Sequence, residues 1–158
     1  MRYDLRPHLF TVQPNPATNI KMQRFSHHSA RVLCKQLPSG ACDVAFYGLL
    51  TRKGFEVLRA QACRVTHDAP SIVMRMDMAV LADSEDFMDA MARACPHDAV
   101  ALVVPSDRYE QAMQLARAMA SAFGVRRPVF LPEQAPLAYL WAAHVARSQP
   151  ARLPLLQP

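Results

Sequence analysis

The stretch SIVMRMDMAVLADS, Ser71–Ser84, predicts the central element of the fold. Its first ten residues alternate between two faces, as the residues of a β-strand do. One face carries Arg75 and Asp77, and the other is entirely apolar. The apolar face consists of Ile72, Met74, Met76, Met78 and Val80. The stretch therefore predicts a strand with one buried face, which runs directly into a polar turn at Asp83 and Ser84.

Upstream, two short apolar segments flank a Pro-Ser-Gly turn and predict a β-hairpin. They are SARVLCKQ, which begins at Ser29, and CDVAFYGLL, which spans residues 42–50. The next segment, TRKGFEVLRAQACRVTH, predicts a helix, since Thr51 is a suitable N-cap and apolar residues recur on one helical face. That face consists of Phe55, Leu58, Ala62 and Val65.

Downstream, predicted helices and strands alternate. EDFMDAMARAC predicts a second helix, and AVALVVP predicts a strand that is buried on both faces. DRYEQAMQLARAMASAFG predicts a third helix, with capping-box spacing at Asp107 and Glu110. VRRPVFLP predicts a short strand, which Pro128 places at a sheet edge. PEQAPLAYLWAAHVARS predicts a final helix whose apolar side consists of Leu137, Leu140, Trp141, His144 and Val145.

The predicted order is therefore ββαβαβαβα. Strands that alternate with helices imply right-handed crossovers, so the fold class is α/β, with a mixed, mostly parallel β-sheet of about five strands and about four helices. This domain is predicted to span residues 28–147. Residues 1–27 contain three prolines and are predicted to form an extended N-terminal arm, and residues 148–158 contain three more and are predicted to form a Pro-rich C-terminal tail.

Composition narrows the class of protein. The chain has 158 residues, which suits one domain with terminal extensions. Its net charge is +5, but the cations are scattered and are not clustered with aromatic residues, so nucleic acid is not the expected partner. No apolar run approaches the roughly 18 to 20 residues of a membrane span, and the N-terminus lacks an apolar signal segment. We expect a cytoplasmic protein with no transmembrane segment.

No group of residues has the spacing of a catalytic, metal or cofactor site. The cysteines form no CxxC pair and are predicted to be reduced and mostly buried; they are Cys34, Cys42, Cys63 and Cys95. The chain has no Gly-x-Ser-x-Gly motif, and its four glycines are not clustered, which argues against a hydrolase and against a phosphate-binding loop. The sequence therefore predicts a protein that is not an enzyme and that has no cofactor and no metal.

The elements resemble the STAS superfamily and, within it, SpoIIAA-like proteins, which are similar to bacterial anti-sigma-factor antagonists. Three pieces of sequence support the resemblance: the strand end Phe46–Thr51, the strand Ile72–Val80 and the turn Leu81–Ser84. The ending VRRPVFLPEQAPLAYL is similar to the last strand and helix of the family. The resemblance implies a signalling domain in which the serine after the aspartate, here Ser84, is phosphorylated by a partner kinase.

The acidic neighbours of Ser84 give this turn a second interpretation. Glu85 stands where the family has another serine, and Asp86 stands where it has a glycine. Two carboxylates repel a phosphate group and already supply negative charge at the turn. A helix cap at Asp83 or Ser84, with acids that stabilise the helix N-terminus, explains the same residues. The sequence leaves open whether Ser84 is a phospho-acceptor or only part of a contact surface.

Together these patterns predict a non-catalytic protein-interaction or regulatory module of STAS/SpoIIAA-like type. Its predicted contact surface is the acidic helix start at 83–89, with Asp83, Glu85, Asp86 and Asp89 as partner contacts. The expected partner is an unidentified protein, and a homodimer is left open. The alternative function is binding or carriage of a small, lipid-like apolar ligand in a methionine-lined pocket, although methionines that simply fill a core explain the same pattern. Its lining would be Met74, Met76, Met78, Met88 and Met91.

Overall fold

The architecture is given by a computed structural model, which describes residues 22–82, 99–124 and 127–148. The strands are β1 (Met22–His27), β2 (Ala30–Gln36), β3 (Cys42–Leu50), β4 (Ile72–Arg75), β5 (Ala79–Leu81), β6 (Val100–Val103) and β7 (Val129–Phe130). The helices are α1 (Arg52–Thr66), α2 (Tyr109–Phe123) and α3 (Ala135–Ser148). Short 3-10 turns at Ser106–Arg108 and Pro132–Gln134 precede α2 and α3.

The strands form one mixed sheet in the order β1-β2-β3-β4-β6-β7, and β5 pairs with the second half of β3. The first three strands are antiparallel, and β3, β4, β6 and β7 run parallel to one another. The predicted fold class, α/β with a mostly parallel sheet, is confirmed. From β3 onward each new strand is added on the same side, so the right-handed crossovers bring α1 and α2 to the same face.

The sheet separates two apolar layers. The larger layer lies on the face with α1 and α2, and its centre is formed by Phe46, Phe55 and Leu58. The rings of Phe46 and Phe55 lie 5.2 Å apart, so the middle of β3 packs directly on the start of α1. The smaller layer lies on the opposite face, where valines and alanines of β4 and β6 contact the alanines of α3.

The structure has more strands than predicted, for two reasons. Residues 22–27, which were assigned to the arm, form β1 and pair antiparallel with β2, so the sheet begins within the predicted arm. The stretch predicted as one strand over 72–80 is interrupted by a turn at Asp77 and Met78. Before that turn, the N–H of Met76 donates to the carbonyl of Val103 at 2.7 Å. The turn reverses which face each following residue takes, so Met78 and Val80 are 38% and 66% exposed, whereas Ala79 is buried.

Several predicted turns, helix ends and strand positions are confirmed. The Pro-Ser-Gly turn joins β2 to β3, with Gly40 at a positive φ of 96°. Thr51 caps α1 because its Oγ1 accepts the N–H of Gly54 at 2.9 Å. Gly124 ends α2 in the left-handed conformation, as the sequence predicts. Pro128 directly precedes the short strand β7, which lies at the sheet edge as predicted.

Other local predictions are wrong. The capping box at Asp107 and Glu110 does not form, since a 3-10 turn precedes α2 and no side chain caps it. The buried stripe of α1 ends at Thr66 instead of Val65, and the Thr66 hydroxyl donates to the carbonyl of Ala62 at 2.9 Å. The predicted helix EDFMDAMARAC lies outside the described residues.

Gly48 allows the first hairpin to lie against β3. The turn between β1 and β2 consists of His28, at a φ of 55°, and Ser29. A Cβ atom on Gly48 would lie 2.2 Å from the carbonyl oxygen of Ser29, well inside any permitted contact. Gly48 also has a φ of 84°, which side chains disfavour. This glycine, part of the stretch that suggested the family resemblance, is therefore required by the close approach of two backbones.

Candidate functional site

The predicted contact residues around Ser84 lie outside the described residues, as do two of the methionines. These are Asp83, Ser84, Glu85, Asp86, Met88, Asp89 and Met91. Met74 and Met76 are buried in the larger core layer, whereas Met78 lies on the exposed turn. Neither the acidic contact surface nor the methionine-lined pocket is tested by this arrangement, and both stay predictions.

Helix α3 covers only part of its face of the sheet. It packs on β4, β6 and β7, which are the last three strands in the sheet order. Six strands side by side span about 24 Å at a spacing of about 4.8 Å, whereas a helix with its side chains is about 10 Å wide. One helix therefore cannot cover the whole face, and no other described helix packs there.

The part of this face that no described helix covers is formed by β1, β2 and β3 and is called the open face. The strand registers place alternate residues on it: Met22, Arg24, Ser26, Arg31, Leu33, Lys35, Asp43, Ala45 and Tyr47. Of these, Ala45 is buried. Arg24 lies opposite Leu33, and Arg31 lies opposite Tyr47. These four residues line a shallow hollow of about 340 Å³, in which two guanidinium groups flank an aromatic and an aliphatic side chain.

The open face is positively charged. Neither Arg24 nor Arg31 forms an ion pair or a side-chain hydrogen bond with any residue that the structure describes. Lys35 is partly balanced, because it lies opposite Asp43, where burial raises the pKa of the carboxyl and the charge of Lys35 opposes that rise. Three cations against one carboxylate give the open face an electrostatic preference for anionic groups.

A polar network marks the border between the open face and α3. The Tyr139 hydroxyl donates to Asp43 Oδ1 at 2.9 Å and accepts from Arg75 Nη1 at 3.4 Å. Arg75 also donates to both carboxylate oxygens of Asp77, at 3.1 Å from Nε and 2.7 Å from Nη2. The Arg75 guanidinium carbon lies 5.9 Å from the centre of the Tyr139 ring. These contacts join β3, β4 and α3.

Burial and pairing shift the acidities of this network. Burial is the main cause that raises the pKa of Asp43, and the hydrogen bond from Tyr139 opposes that rise. Burial likewise raises the pKa of Tyr139 to about 12. The hydrogen bonds to Asp77 raise the pKa of Arg75, which remains a cation. Each of the four side chains is thus hydrogen-bonded to at least one other, which suits an anchor for α3.

Asp77 belongs to this anchor and not to a free acidic surface. It is one of five acids between residues 77 and 89, but its two oxygens are occupied by Arg75. Among the described residues, no group of three or more His, Cys, Asp or Glu side chains is arranged to hold a metal ion. In the same part of the chain, no helix is both long enough and apolar enough to cross a membrane.

The open face was not among the predicted sites, although the sequence of β2 contains a signal for it. Ala30, Val32 and Cys34 alternate with Arg31, Leu33 and Lys35, and such alternation predicts one buried and one solvated face. β1 has no comparable signal, because MQRFSH holds only Met22 and Phe25 as large apolar residues. The open face becomes visible only when β1 is known to extend the sheet.

Comparison with known proteins adds a likeness of fold. No protein-family model matches the sequence, and no curated protein matches it significantly. The structure is similar to the crystal structure of an uncharacterized DUF3478-family protein from Shewanella loihica PV-4, whose description gives a SpoIIAA-like fold. The identity is 11%, the TM-score is 0.39, and the match covers 78% of this chain and 93% of that chain.

Proposed function

We propose that this protein is a non-catalytic interaction module that binds an acidic, partly apolar segment of a partner protein on its open face. The observation that supports the proposal is the pair of guanidinium groups, Arg24 and Arg31, that flank Leu33 and Tyr47 with no acidic partner among the described residues. A protein that exposes such a surface gains binding energy when a partner supplies carboxylates.

The chemistry of the four side chains defines the partner. A guanidinium presents donors in a planar fork that matches a carboxylate, so Arg24 and Arg31 each suit an Asp or Glu side chain. Tyr47 and Leu33 provide the aromatic and aliphatic contacts that carry most of the energy in protein interfaces. Nucleic acid fits less well, because single-stranded recognition uses several stacked aromatic residues, and the open face has only Tyr47.

A peptide-display selection tests the proposal directly. The wild-type protein is used to select binders from a random peptide library, and the selected peptides are synthesised and titrated at low and high salt. We expect peptides that combine Asp or Glu with a large apolar residue, and binding that weakens as salt is added. Selected peptides without acidic residues would refute the proposal.

A matched pair of variants locates the binding surface. In the double variant Arg24→Glu/Arg31→Glu we expect affinity for the selected peptides to fall by at least about tenfold, because two attractive charge pairs become repulsive. The control is Lys53→Glu/Arg64→Glu, which changes the net charge equally at two exposed positions of α1, on the other side of the sheet. Equal loss in both variants would mean that net charge, and not the open face, governs binding.

The acidic segment at 83–89 is proposed as a second, independent contact. The segment contains four acids around Ser84 and no base. This composition favours a basic partner surface. The variants Ser84→Asp and Asp86→Lys test it by pull-down of partner proteins. A set of captured partners that neither variant changes would argue against this contact, and would leave the open-face proposal untouched.

A further inference from the structure

The outer side of α3 and of the turn before it presents a regular stripe to solvent. Its members, spaced by four, three, four and three residues, are all exposed: Glu133, Leu137, Leu140, His144 and Arg147. The two leucines at its centre are 52% and 65% exposed, which is unusual for two large aliphatic side chains on one helix. Alternating steps of four and three residues are the spacing of an interhelical seam.

The orientation of α3 is fixed by contacts on its inner side, so the leucines cannot turn inward. Ala135, Ala138 and Ala142 are buried against the sheet. The Ser71 hydroxyl donates to the carbonyl of Ala142 at 2.6 Å, and the Tyr139 hydroxyl donates to Asp43. The helix therefore packs on the sheet through its small alanines, and the apolar side that contains the two leucines faces away from the core.

The stripe is complementary to itself. Glu133 and Arg147 each lie seven residues from Leu140, on opposite sides of it, and both are exposed. If two such helices cross antiparallel at Leu140, the acidic end of each stripe meets the basic end of the other, and the leucines meet in the middle. We propose that a second copy of this chain binds the α3 stripe in this way and forms a two-fold symmetric dimer. This inference does not rest on the proposed function.

The surface beside the stripe extends the interface. Trp141 follows Leu140 and lines a hollow of about 430 Å³, whose other walls are mostly apolar, with Met113 and Val129 among them, but also include Arg117 and Arg127. A single helical stripe buries less than the roughly 800 Å² per partner of a standard interface, so the dimer needs this neighbouring apolar surface. We expect an affinity in the micromolar range, which determines the concentrations at which the oligomeric state is measured.

Sedimentation velocity over a range of protein concentrations tests the dimer. The wild type is expected to form a dimer whose population rises with concentration, and Leu140→Glu is expected to remain a monomer throughout that range. The control is Val80→Glu, which places the same charge at an equally exposed aliphatic residue outside α3. Circular dichroism is used to verify that both variants are folded.

Charge exchange tests the proposed orientation. Glu133→Arg alone and Arg147→Glu alone should each raise the dimer dissociation constant by about tenfold, because each creates two repulsive contacts across the two-fold axis. The double variant Glu133→Arg/Arg147→Glu should restore the wild-type constant. Two single effects that add up in the double variant would refute the antiparallel arrangement.

The oligomeric state of the wild type decides the proposal as a whole. A wild type that stays monomeric at every concentration overturns it. If removal of residues 149–158 then produces a dimer, the chain's own C-terminal residues occupy the stripe instead of a second copy. A dimer that Leu140→Glu leaves intact overturns it as well, since the contact then lies elsewhere.

Discussion

Replacement of Tyr139 by phenylalanine removes one oxygen atom from the network that holds α3 on the sheet. The hydroxyl donates to Asp43 at 2.9 Å and accepts from Arg75 at 3.4 Å. The aromatic ring remains, so the contact with the Arg75 guanidinium is kept. The variant thus isolates the hydrogen bond to Asp43 from the packing of the helix.

The size of the effect follows from the charge of the acceptor. A hydrogen bond to an ionised group stabilises a fold by about 1.5–3 kcal/mol, and a bond as long as 3.4 Å adds little. Because Asp43 is half-buried and solvent can partly replace the lost donor, we expect a loss of about 2 kcal/mol in the free energy of unfolding at pH 7. For a chain of this size, that corresponds to a decrease of about 4–8 °C in Tm.

The pH dependence distinguishes this bond from a loss of packing. The hydrogen bond from Tyr139 lowers the pKa of Asp43, so its removal lets burial raise that pKa further. The destabilisation by Tyr139→Phe should therefore shrink as the pH falls and Asp43 takes up a proton in the folded state. Urea denaturation at pH 7 and at pH 4 measures both values.

The control for this experiment is Tyr109→Phe. Tyr109 is also half-buried at a helix, and its hydroxyl forms no hydrogen bond with the residues that the structure describes. We expect a change of about 0.5 kcal/mol or less. If Tyr139→Phe is no more destabilising than Tyr109→Phe at pH 7, or if its effect is the same at both pH values, the anchoring role of the network is refuted.

Three further predictions concern single residues. Gly48→Ala should destabilise the fold by about 3 kcal/mol, because the new methyl group would clash with the carbonyl oxygen of Ser29 and the alanine would have to adopt a left-handed φ. Gly124→Ala is the comparison in the same denaturation assay: its φ is 69° but the space around it is open, so it should cost only about 1 kcal/mol. Asp43→Asn should be more stable than the wild type at pH 7. Burial raises the pKa of the folded Asp43 carboxyl above its ordinary 3.8, so the ionised carboxylate opposes folding above that raised pKa. If the gain in unfolding free energy stays the same as the pH falls towards 3.8, this cause is contradicted. Burial raises the pKa of the Cys34 thiol to about 12, so iodoacetamide at pH 8 should label Cys34 only after unfolding, as mass spectrometry would show.

The strands and helices with strong periodic patterns could be predicted from the sequence. Val100–Val103 is a continuous apolar run and is buried throughout, as expected of a strand between two layers. The end of α2 at Gly124 and the start of α1 after Thr51 follow from local backbone chemistry, which needs no knowledge of the tertiary structure. These signals were sufficient for the fold class.

Elements that depend on tertiary pairing could not be predicted in the same way. One face of β1 is fully exposed, and the other is only half-buried at Phe25 and His27. Its strand conformation therefore depends on its hydrogen bonds to β2 more than on its own pattern. The alternation of Ile72–Val80 continues through a turn, because the N–H of Met76 pairs with β6 and the chain then bends to place β5 beside β3. A pattern of period two records which residues alternate, but not where a strand ends.

The last helix shows why hydrophobicity alone assigns the wrong face. Its sequence contains two stripes with the same spacing, one of alanines at 135, 138 and 142 and one with leucines at 137 and 140. Transfer free energy favours burial of the leucines, but the alanines allow the helix to approach the sheet closely enough for Tyr139 to reach Asp43. The flanking charges were the signal that separates the two stripes, because Glu133 and Arg147 continue the leucine stripe and neither belongs in a core. A stripe with apolar residues at its centre and opposite charges at its two ends has the composition of a protein interface, with its apolar core and polar rim. The leucines on the outer side of this helix therefore suggest a second copy of the chain as their partner.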